Sequence, residues 1–257
     1  MMFKGLKTQL GVIFSLILRE ARVRHGRTRF GYIWAIIEPA ALIMFLTVLF
    51  SQFRATTATS VDFATFFATG VLPFQMFRST TQYMSISLDA NRPLFNYLPV
   101  KPIDAIIARW ILETCTLMVV MVLVYSFQIL VLGAPTPHDV AGVIKVLAVI
   151  WTMSLGAGIS LCIGRRFMAA LPSVYAVVMG ATFFVSCVFY SLTVVPPQFR
   201  ELLVWNPLVH IVEGFRGAYL AGYRTPDIDL TYPFVFGLFL IFIGLLLEPS
   251  TKAQLET

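Results

Sequence analysis

Charged residues are scarce in this 257-residue chain: Lys, Arg, Asp and Glu together make up 12% of it, against about 25% in soluble domains. Hydrophobic residues make up 58%, and the mean hydropathy is +0.82. This composition excludes an ordinary soluble enzyme, a disordered tail and a coiled coil. The net charge is nevertheless +6. Nucleic-acid binding would need the cations on one water-facing surface, whereas a membrane protein places them in cytoplasmic loops. We favour the membrane protein and expect no nucleic-acid partner.

Cysteines and catalytic motifs are also few. Cys115, Cys162 and Cys187 are odd in number, widely separated and set in apolar runs, which argues against a disulfide framework and against a metal site. The sequence has no Gly-x-x-x-x-Gly-Lys phosphate-binding loop, no closely spaced His and Cys, and no plausible Ser, His and Asp set. We therefore expect no cofactor on this chain. If ATP is used, a partner must hydrolyse it.

The apolar stretches predict an all-α, polytopic membrane protein with one domain over residues 1–257. A transmembrane helix needs about 20 apolar residues. Six spans are predicted, at residues 31–53, 63–84, 104–132, 141–164, 172–193 and 232–247. Asp104 is expected to cap the third span. Pro39 interrupts the first span, and Gly70 and Pro73 are expected to bend the second.

Three further segments are predicted not to span. Residues 5–29 carry apolar and Arg-rich stripes at helical spacing, which is typical of an amphipathic helix in the membrane interface. Residues 88–102 form a polar, proline-punctuated loop. Residues 194–230 contain two short helical stretches, which predicts a re-entrant pair on the outer side. Within that pair Glu213 and Arg216 are either a local ion pair or ordinary interfacial charges, and we favour the second interpretation.

The basic residues predict the orientation. Five of the 19 Lys and Arg residues fall on the side opposite to the N-terminus: Arg54, Lys145, Arg200, Arg216 and Arg224. Because Lys and Arg accumulate in cytoplasmic loops, we expect both termini in the cytoplasm.

The most specific motif joins the interfacial helix to the first span. It reads Arg24-His-Gly-Arg27-Thr-Arg29-Phe-Gly31-Tyr-Ile-Trp34-Ala-Ile-Ile-Glu38-Pro39. This segment resembles the N-terminal signature of ABC-2 type transporter permeases. Its Gly-Arg-Thr-Arg-Phe-Gly-Tyr-x-Trp-Ala form is most similar to the capsular polysaccharide exporters of Gram-negative bacteria.

The resemblance implies a transport subunit rather than an enzyme. It implies a homodimer in the bacterial inner membrane with two copies of a cytoplasmic ABC ATPase, which binds ATP and Mg. The exported substrate would be a lipid-linked acidic capsular polysaccharide, moved from cytoplasm to periplasm. A periplasmic co-polymerase and an outer-membrane polysaccharide channel are the further partners that such systems use.

The loop at 88–102 is the candidate site of ATPase coupling, because the family uses this loop as its coupling helix. Its residues of interest are Asp89, Asn91, Arg92, Pro93, Leu94 and Phe95. Prolines stiffen the segment, and exposed Leu94 and Phe95 would dock in a groove of the partner. The alternative is a plain structured loop.

Candidate contacts with an anionic lipid head group or with substrate are Arg24, Arg27, Arg29, Trp34 and Arg78. For the first three, arginine forks that bind phosphate or acidic sugars compete with simple positive-inside topology and attraction to anionic lipid. Trp34 belongs to a set of aromatic residues that could line a glycan path. Arg78 lies in a span without an obvious local partner, unlike Arg109 and Glu113, which are spaced to pair on one helix face.

Two other functions stay open. The chain could be an ABC-2 permease for another glycan, such as O-antigen or teichoic acid, or for an amphipathic drug. It could also be an integral-membrane transferase acting on a lipid-linked sugar. The transferase predicts a close cluster of acidic or His side chains at one interface, whereas the acidic residues are dispersed along the sequence.

Overall fold

A computed structural model describes residues 2–25, 31–52, 62–96, 100–224 and 227–255. Within these ranges the chain is helical and has no β-strand. The α-helices are α1 Met2–His25, α2 Gly31–Gln52, α3 Phe63–Met84, α4 Ser87–Asn91, α5 Pro102–Leu132, α6 Val140–Phe167, α7 Leu171–Val185, α8 Pro197–Val204, α9 Pro207–Tyr219 and α10 Thr231–Leu255. Two short 3-10 helices cover Arg92–Asn96 and Leu192–Val194.

Three of the described helices are long and apolar enough to cross a membrane. They are α5, α6 and the Thr231–Glu248 part of α10. Shorter apolar helical segments lie at Ile36–Phe50 in α2 and at Leu171–Val185, which is the whole of α7. The prediction of an all-helical protein with membrane-length helices is therefore confirmed, whereas the six-span arrangement stays a prediction.

The bundle is built around α3 and α6, which pack against each other and against several other helices. α10 packs along α6, and α9 packs against both α3 and α6. α1 lies along α5 and contributes buried Leu16 and Glu20, while Leu10 and Phe14 on its other side stay exposed. We call the end of the bundle that carries α4 the α4 end, and the opposite end, where α8 and α9 lie, the α9 end.

Local capping explains two of the helix boundaries. Asp104 accepts a hydrogen bond from the Lys101 N–H at 3.0 Å, which confirms the predicted cap at the start of α5. α5 ends at Gly133, whose φ of 68° is left-handed, a conformation that glycine adopts without steric cost. α6 then begins behind Asp139, whose side chain accepts from the Gly142 N–H at 2.9 Å.

Predicted and observed boundaries differ at the fifth span and at the N-terminal helix. The fifth span was expected to reach residue 193, but α7 ends at Val185 and the chain runs irregularly to Leu192. Residue Cys187 has a φ of 58°, which does not fit a right-handed helix. The last span, predicted at 232–247, agrees with the membrane-length Thr231–Glu248 part of α10, and the helix itself continues to Leu255. The predicted interfacial helix at 5–29 is α1, which starts earlier, and residues 26–30 lie outside the described residues.

Candidate functional site

The predicted coupling segment is a compact element at the α4 end. It consists of α4 followed directly by the 3-10 helix Arg92–Asn96. Leu88 is buried, and Phe95 is half-buried against the same apolar cluster, which includes Met84, Ile106 and Ile163. The segment is therefore anchored on α3, α5 and α6 rather than standing free as an extended loop.

Two polar contacts tie this segment to helices that are distant in sequence. Asp89 Oδ2 lies 2.9 Å from Arg165 Nη2 at the end of α6, and Asp89 Oδ1 lies 4.0 Å from Arg166 Nη1. On the other side, Arg19 Nη1 of α1 donates to Asn91 Oδ1 at 2.6 Å. These contacts join α4 directly to α1 and α6.

The six predicted coupling residues divide by exposure. Asp89 and Asn91 make the polar contacts to α6 and α1, and Asn91 is buried. Arg92 and Pro93 are exposed, whereas Leu94 and Phe95 are half-buried. The expectation that Leu94 and Phe95 stand exposed is therefore wrong, because Phe95 packs on the cluster around Met84. The outward surface of the segment is formed by Arg92 and Pro93.

A buried ion pair lies beside this segment, between α1 and α5. Arg109 Nη2 pairs with Glu20 Oε1, and both side chains are less than a tenth exposed. Tyr83 completes the group, since its hydroxyl donates to Glu20 at 3.2 Å and its ring lies 4.7 Å from the Arg109 guanidinium. Sequence spacing suggests Glu113 as a partner of Arg109, and the structure adds a salt bridge from Arg109 to Glu20 on another helix. This pair fixes α1 to the bundle.

The candidate head-group and substrate residues are scattered. Arg24 lies in the last turn of α1, but its side chain is outside the described part, and Arg27 and Arg29 lie outside the described residues. The Trp34 side chain on α2 is 66% exposed. Arg78 on α3 is half-buried and has no salt bridge within the described residues. Their binding roles stay predictions.

Aromatic rings gather where α2, α3 and the end of α7 meet. Phe50 lies 5.1 Å from Phe67 and 6.5 Å from Phe189, measured between ring centroids. Phe183 lies 5.1 Å from Phe74 and 4.9 Å from Phe189. Such centroid distances are typical of attractive aromatic contacts. Trp34, the aromatic residue singled out as a candidate for a glycan path, is instead largely exposed on α2.

A second buried ion pair lies within α9, between Glu213 and Arg216. Arg216 Nη1 lies 3.0 Å from Glu213 Oε1, and both side chains are 0% exposed. The Tyr223 hydroxyl donates to Glu213 Oε2 at 2.9 Å. The preferred interpretation as ordinary interfacial charges is therefore wrong. The spacing of opposite charges three residues apart in an otherwise apolar helix was the available signal.

Arg216 also holds the irregular stretch that follows α7. Its guanidinium donates to the backbone carbonyls of Cys187, Val188 and Tyr190. These carbonyls have no helical partners because α7 has already ended, and in an apolar environment each unpaired carbonyl is costly. The carbonyls left without helical partners where α7 ends are thus satisfied by a cation 26–29 residues later in the sequence.

A cavity of about 740 Å³ opens at the α9 end, between α8 and the start of α10. Its lining includes Arg200, Glu201, Trp205, Asp229 and Tyr232. Hydrogen bonds from Thr231 hold the pKa of Asp229 below its usual value, because they stabilise the ionised carboxylate. Within the described residues no group of three or more His, Cys, Asp and Glu side chains could hold a metal ion.

Comparison with known proteins adds the family context. Residues 12–220 match the family model described as ABC-2 type transporter. The chain is 34% identical to the polysialic acid transport protein KpsM of Escherichia coli, with 98% of each chain covered. It is also similar to two capsule polysaccharide export inner-membrane proteins. CtrC of Neisseria meningitidis is 24% identical over 94% of this chain and 91% of the relative. BexB of Haemophilus influenzae is 25% identical, with 98% and 96% covered.

Proposed function

This chain belongs to the ABC-2 type transporter family, and on that premise we propose that it is the permease subunit of an ATP-driven capsule exporter. It acts in the bacterial inner membrane and moves a lipid-linked acidic capsular polysaccharide from the cytoplasm to the periplasm. The single observation that carries the proposal is the 34% identity to the polysialic acid transport protein across 98% of both chains. Such full-length similarity covers every element described above.

The proposed assembly is a homodimer of this chain with two copies of a cytoplasmic ABC ATPase. ATP and Mg are bound by that partner. Each permease chain has six spans with both termini in the cytoplasm, so the α4 end is cytoplasmic and the α9 end is periplasmic. The positive-inside rule supports this orientation, since Arg165, Arg166, Arg92 and Arg19 all lie at the α4 end. A periplasmic co-polymerase and an outer-membrane polysaccharide channel complete the export route.

The coupling segment, α4 with the 3-10 helix Arg92–Asn96, is the proposed contact with the ATPase. Support comes from its contacts: it offers Arg92 and Pro93 outward and is tied inward to α1 and α6. A push on an anchored segment moves the helices to which it is tied. Closure of the two ATPases would therefore rearrange the spans and drive the glycan outward.

Transport by purified components tests the proposal. The chain and its cognate ATPase are reconstituted in vesicles with the ATPase outside, and uptake of lipid-linked capsular glycan is measured with and without ATP. We expect ATP-dependent uptake that is lost with a hydrolysis-defective ATPase. Absence of capsule-glycan uptake would refute the proposal. Uptake of O-antigen, teichoic acid or an amphipathic drug in its place would reassign the substrate, and chemical alteration of the glycan without ATP would indicate a transferase.

A further inference from the structure

Arg216 is the most completely enclosed cation among the described residues. Its guanidinium lies 3.9 Å from the centre of the Phe66 ring on α3, pairs with Glu213 on its own helix, and donates to three backbone carbonyls after α7. A charge inside a membrane protein is costly and is retained where it has a specific task. The contacts indicate that the task is to join α9 to the segment 186–191.

Gly70 shows that the bundle is shaped around this cation. A Cβ atom at Gly70 would lie 2.5 Å from Arg216 Nη2 and 2.9 Å from the Val188 carbonyl oxygen. Both distances are too short for any side chain, so only glycine lets α3 approach the guanidinium and the segment together. Three elements, α3, α9 and the stretch after α7, therefore converge on one side chain.

The segment held in this way covers the helix core at the α9 end. Cys187, Val188 and Leu192 are fully buried, and Leu203 and Val204 of α8 pack over Cys187 and Leu192. Cys187 adopts a φ of 58°, a backbone conformation that is unfavourable for a residue with a Cβ and persists only where its surroundings enforce it. The contacts of Arg216 with the carbonyl of Cys187 and with the carbonyls of Val188 and Tyr190 after it provide that enforcement.

We propose that Arg216 is a positioning residue that keeps the α9 end closed by holding segment 186–191 against α3 and α9. When the guanidinium leaves the carbonyls, the segment is released and the interior beside Cys187 opens to the periplasm. The use of this opening for glycan exit rests on the proposed export function. The closure itself is a property of the folded chain and can be measured without substrate or ATPase.

Native Cys187 is the reporter for the test. In a chain carrying Cys115→Ser and Cys162→Ser it is the remaining thiol, and it is fully buried. A membrane-impermeant maleimide is added to the periplasmic side of spheroplasts, and the labelling rate is compared with total labelling after denaturation. In Arg216→Gln we expect labelling at least about tenfold faster than in the parent, which corresponds to about 1.4 kcal/mol less free energy to open.

Two variants separate this positioning role from a simple need for charge. Arg216→Lys keeps the cation near Glu213, but one ammonium group cannot reproduce the planar fork that reaches three carbonyls, so labelling is still expected to accelerate. Gly70→Ala keeps every charge and displaces the guanidinium by steric overlap, with the same expected result. If Arg216→Gln fails to accumulate in the membrane, the labelling rate of Gly70→Ala tests the positioning role by itself.

Lys145→Gln is the matched control. It removes an exposed cation from the first turns of α6, which lie at the α9 end, and it leaves segment 186–191 unchanged. It should label like the parent. The proposal is overturned if Cys187 stays protected in both the Arg216→Gln and the Gly70→Ala variants. It is also overturned if the Arg216→Lys variant is as fully protected as the parent. Equal acceleration of labelling in Lys145→Gln would overturn it as well. Failure of glycan transport with this labelling pattern intact would refute the export function and leave the closure standing.

Discussion

At the scale of single residues, Asp89 has a larger effect on geometry than on stability. Its side chain is 45% exposed and that of Arg165 is 29% exposed, and salt bridges with this exposure contribute at most about 1 kcal/mol. Yet the contact joins the short helix α4 to the end of α6, the helix on which α10 and α9 pack. On the proposed function, the pair links the coupling segment to the helix through which its movement would reach the rest of the bundle.

Reversing this pair should therefore affect transport more than folding. We expect Asp89→Arg to change the free energy of unfolding by no more than about 1 kcal/mol and to abolish most ATP-driven glycan uptake. The double variant Asp89→Arg, Arg165→Asp should regain uptake because the attraction is restored with its ends exchanged. Thermal unfolding in detergent and vesicle uptake are the two measurements.

Asp227→Arg provides a comparison for the swap, because Asp227 is also an exposed partner of an arginine but lies at the α9 end, 3.9 Å from Arg200. It should leave uptake largely intact. If the Asp89→Arg variant transports normally, the salt bridge does not transmit movement and the coupling segment acts through its apolar contacts alone.

At the scale of helices, α6 and α10 approach each other through small residues. A Cβ at Gly156 would overlap the Gly237 carbonyl oxygen and lie 2.9 Å from the Ile241 nitrogen, while a Cβ at Gly237 would lie 2.8 Å from Met153 Cα. Small residues at such crossings let helix backbones approach closely in membranes, where packing replaces the hydrophobic effect as the source of attraction. Glycine on both sides is thus needed for this pair of helices.

Matched alanine substitutions should change stability in opposite directions. Gly156→Ala forces α6 and α10 apart and is expected to lower the free energy of unfolding by about 1–3 kcal/mol. Gly180→Ala on α7 meets no atom within 4 Å, so it should be neutral or stabilising by up to about 1 kcal/mol through helix propensity. Thermal unfolding of the purified chain gives both values, and equal effects at the two positions would contradict the close approach.

Helix positions were predictable from the sequence wherever the cause of the boundary is local. The predicted span at 63–84 coincides with α3, and the cap at Asp104 was recognised because capping depends on neighbouring residues. The end of α7 was missed because its cause is Arg216, which lies far along the chain and satisfies the carbonyls after Val185. The apolar stretch of the sequence continues to residue 193, and hydropathy does not indicate the contact with Arg216.

The candidate site was likewise predictable from the sequence only where its features depend on neighbouring residues. The position of the coupling segment followed from proline and polarity, but the partners of Asp89 and Asn91 come from α6 and α1, and no local pattern links those residues. Arg109 was matched with Glu113 by helical spacing, and its salt bridge to Glu20 of α1 had no signal in the sequence. Spacing identifies candidates on one helix, and only packing between helices decides which charges meet.

For the whole molecule, the distribution of charge and exposed apolar surface matters more than any one site. α5 and α10 expose many large apolar side chains, in keeping with contact to lipid, whereas cations collect at the α4 end. Arg24, Arg27 and Arg29 lie in the chain between α1 and α2 or at its edge. Whether they bind an acidic ligand or only set the orientation is an experimental question about the assembled transporter.

Replacing these three arginines with glutamine distinguishes the two roles. If they bind an anionic head group or acidic sugars, the variant Arg24→Gln, Arg27→Gln, Arg29→Gln should lose most glycan uptake while its topology is unchanged, because the remaining basic residues at the α4 end still set the orientation. Topology is checked by protease accessibility of the termini and transport by vesicle uptake. Normal uptake would leave these arginines with the topological role alone, and Arg224→Gln at the opposite end is the control.

The shortness of α7 has a consequence for the bilayer itself. Fifteen residues at a rise of 1.5 Å cover about 22 Å, whereas the hydrocarbon layer of a membrane is about 30 Å thick. Lipid beside a helix that is too short must thin to meet it, at a cost of a fraction of a kcal/mol per Å of mismatch. On the proposed six-span topology α7 crosses the membrane, so we expect the lipid beside it to be thinner along that flank of the protein. A head group that crosses there has a shorter apolar distance to travel, and the protein becomes sensitive to the thickness of the membrane that holds it.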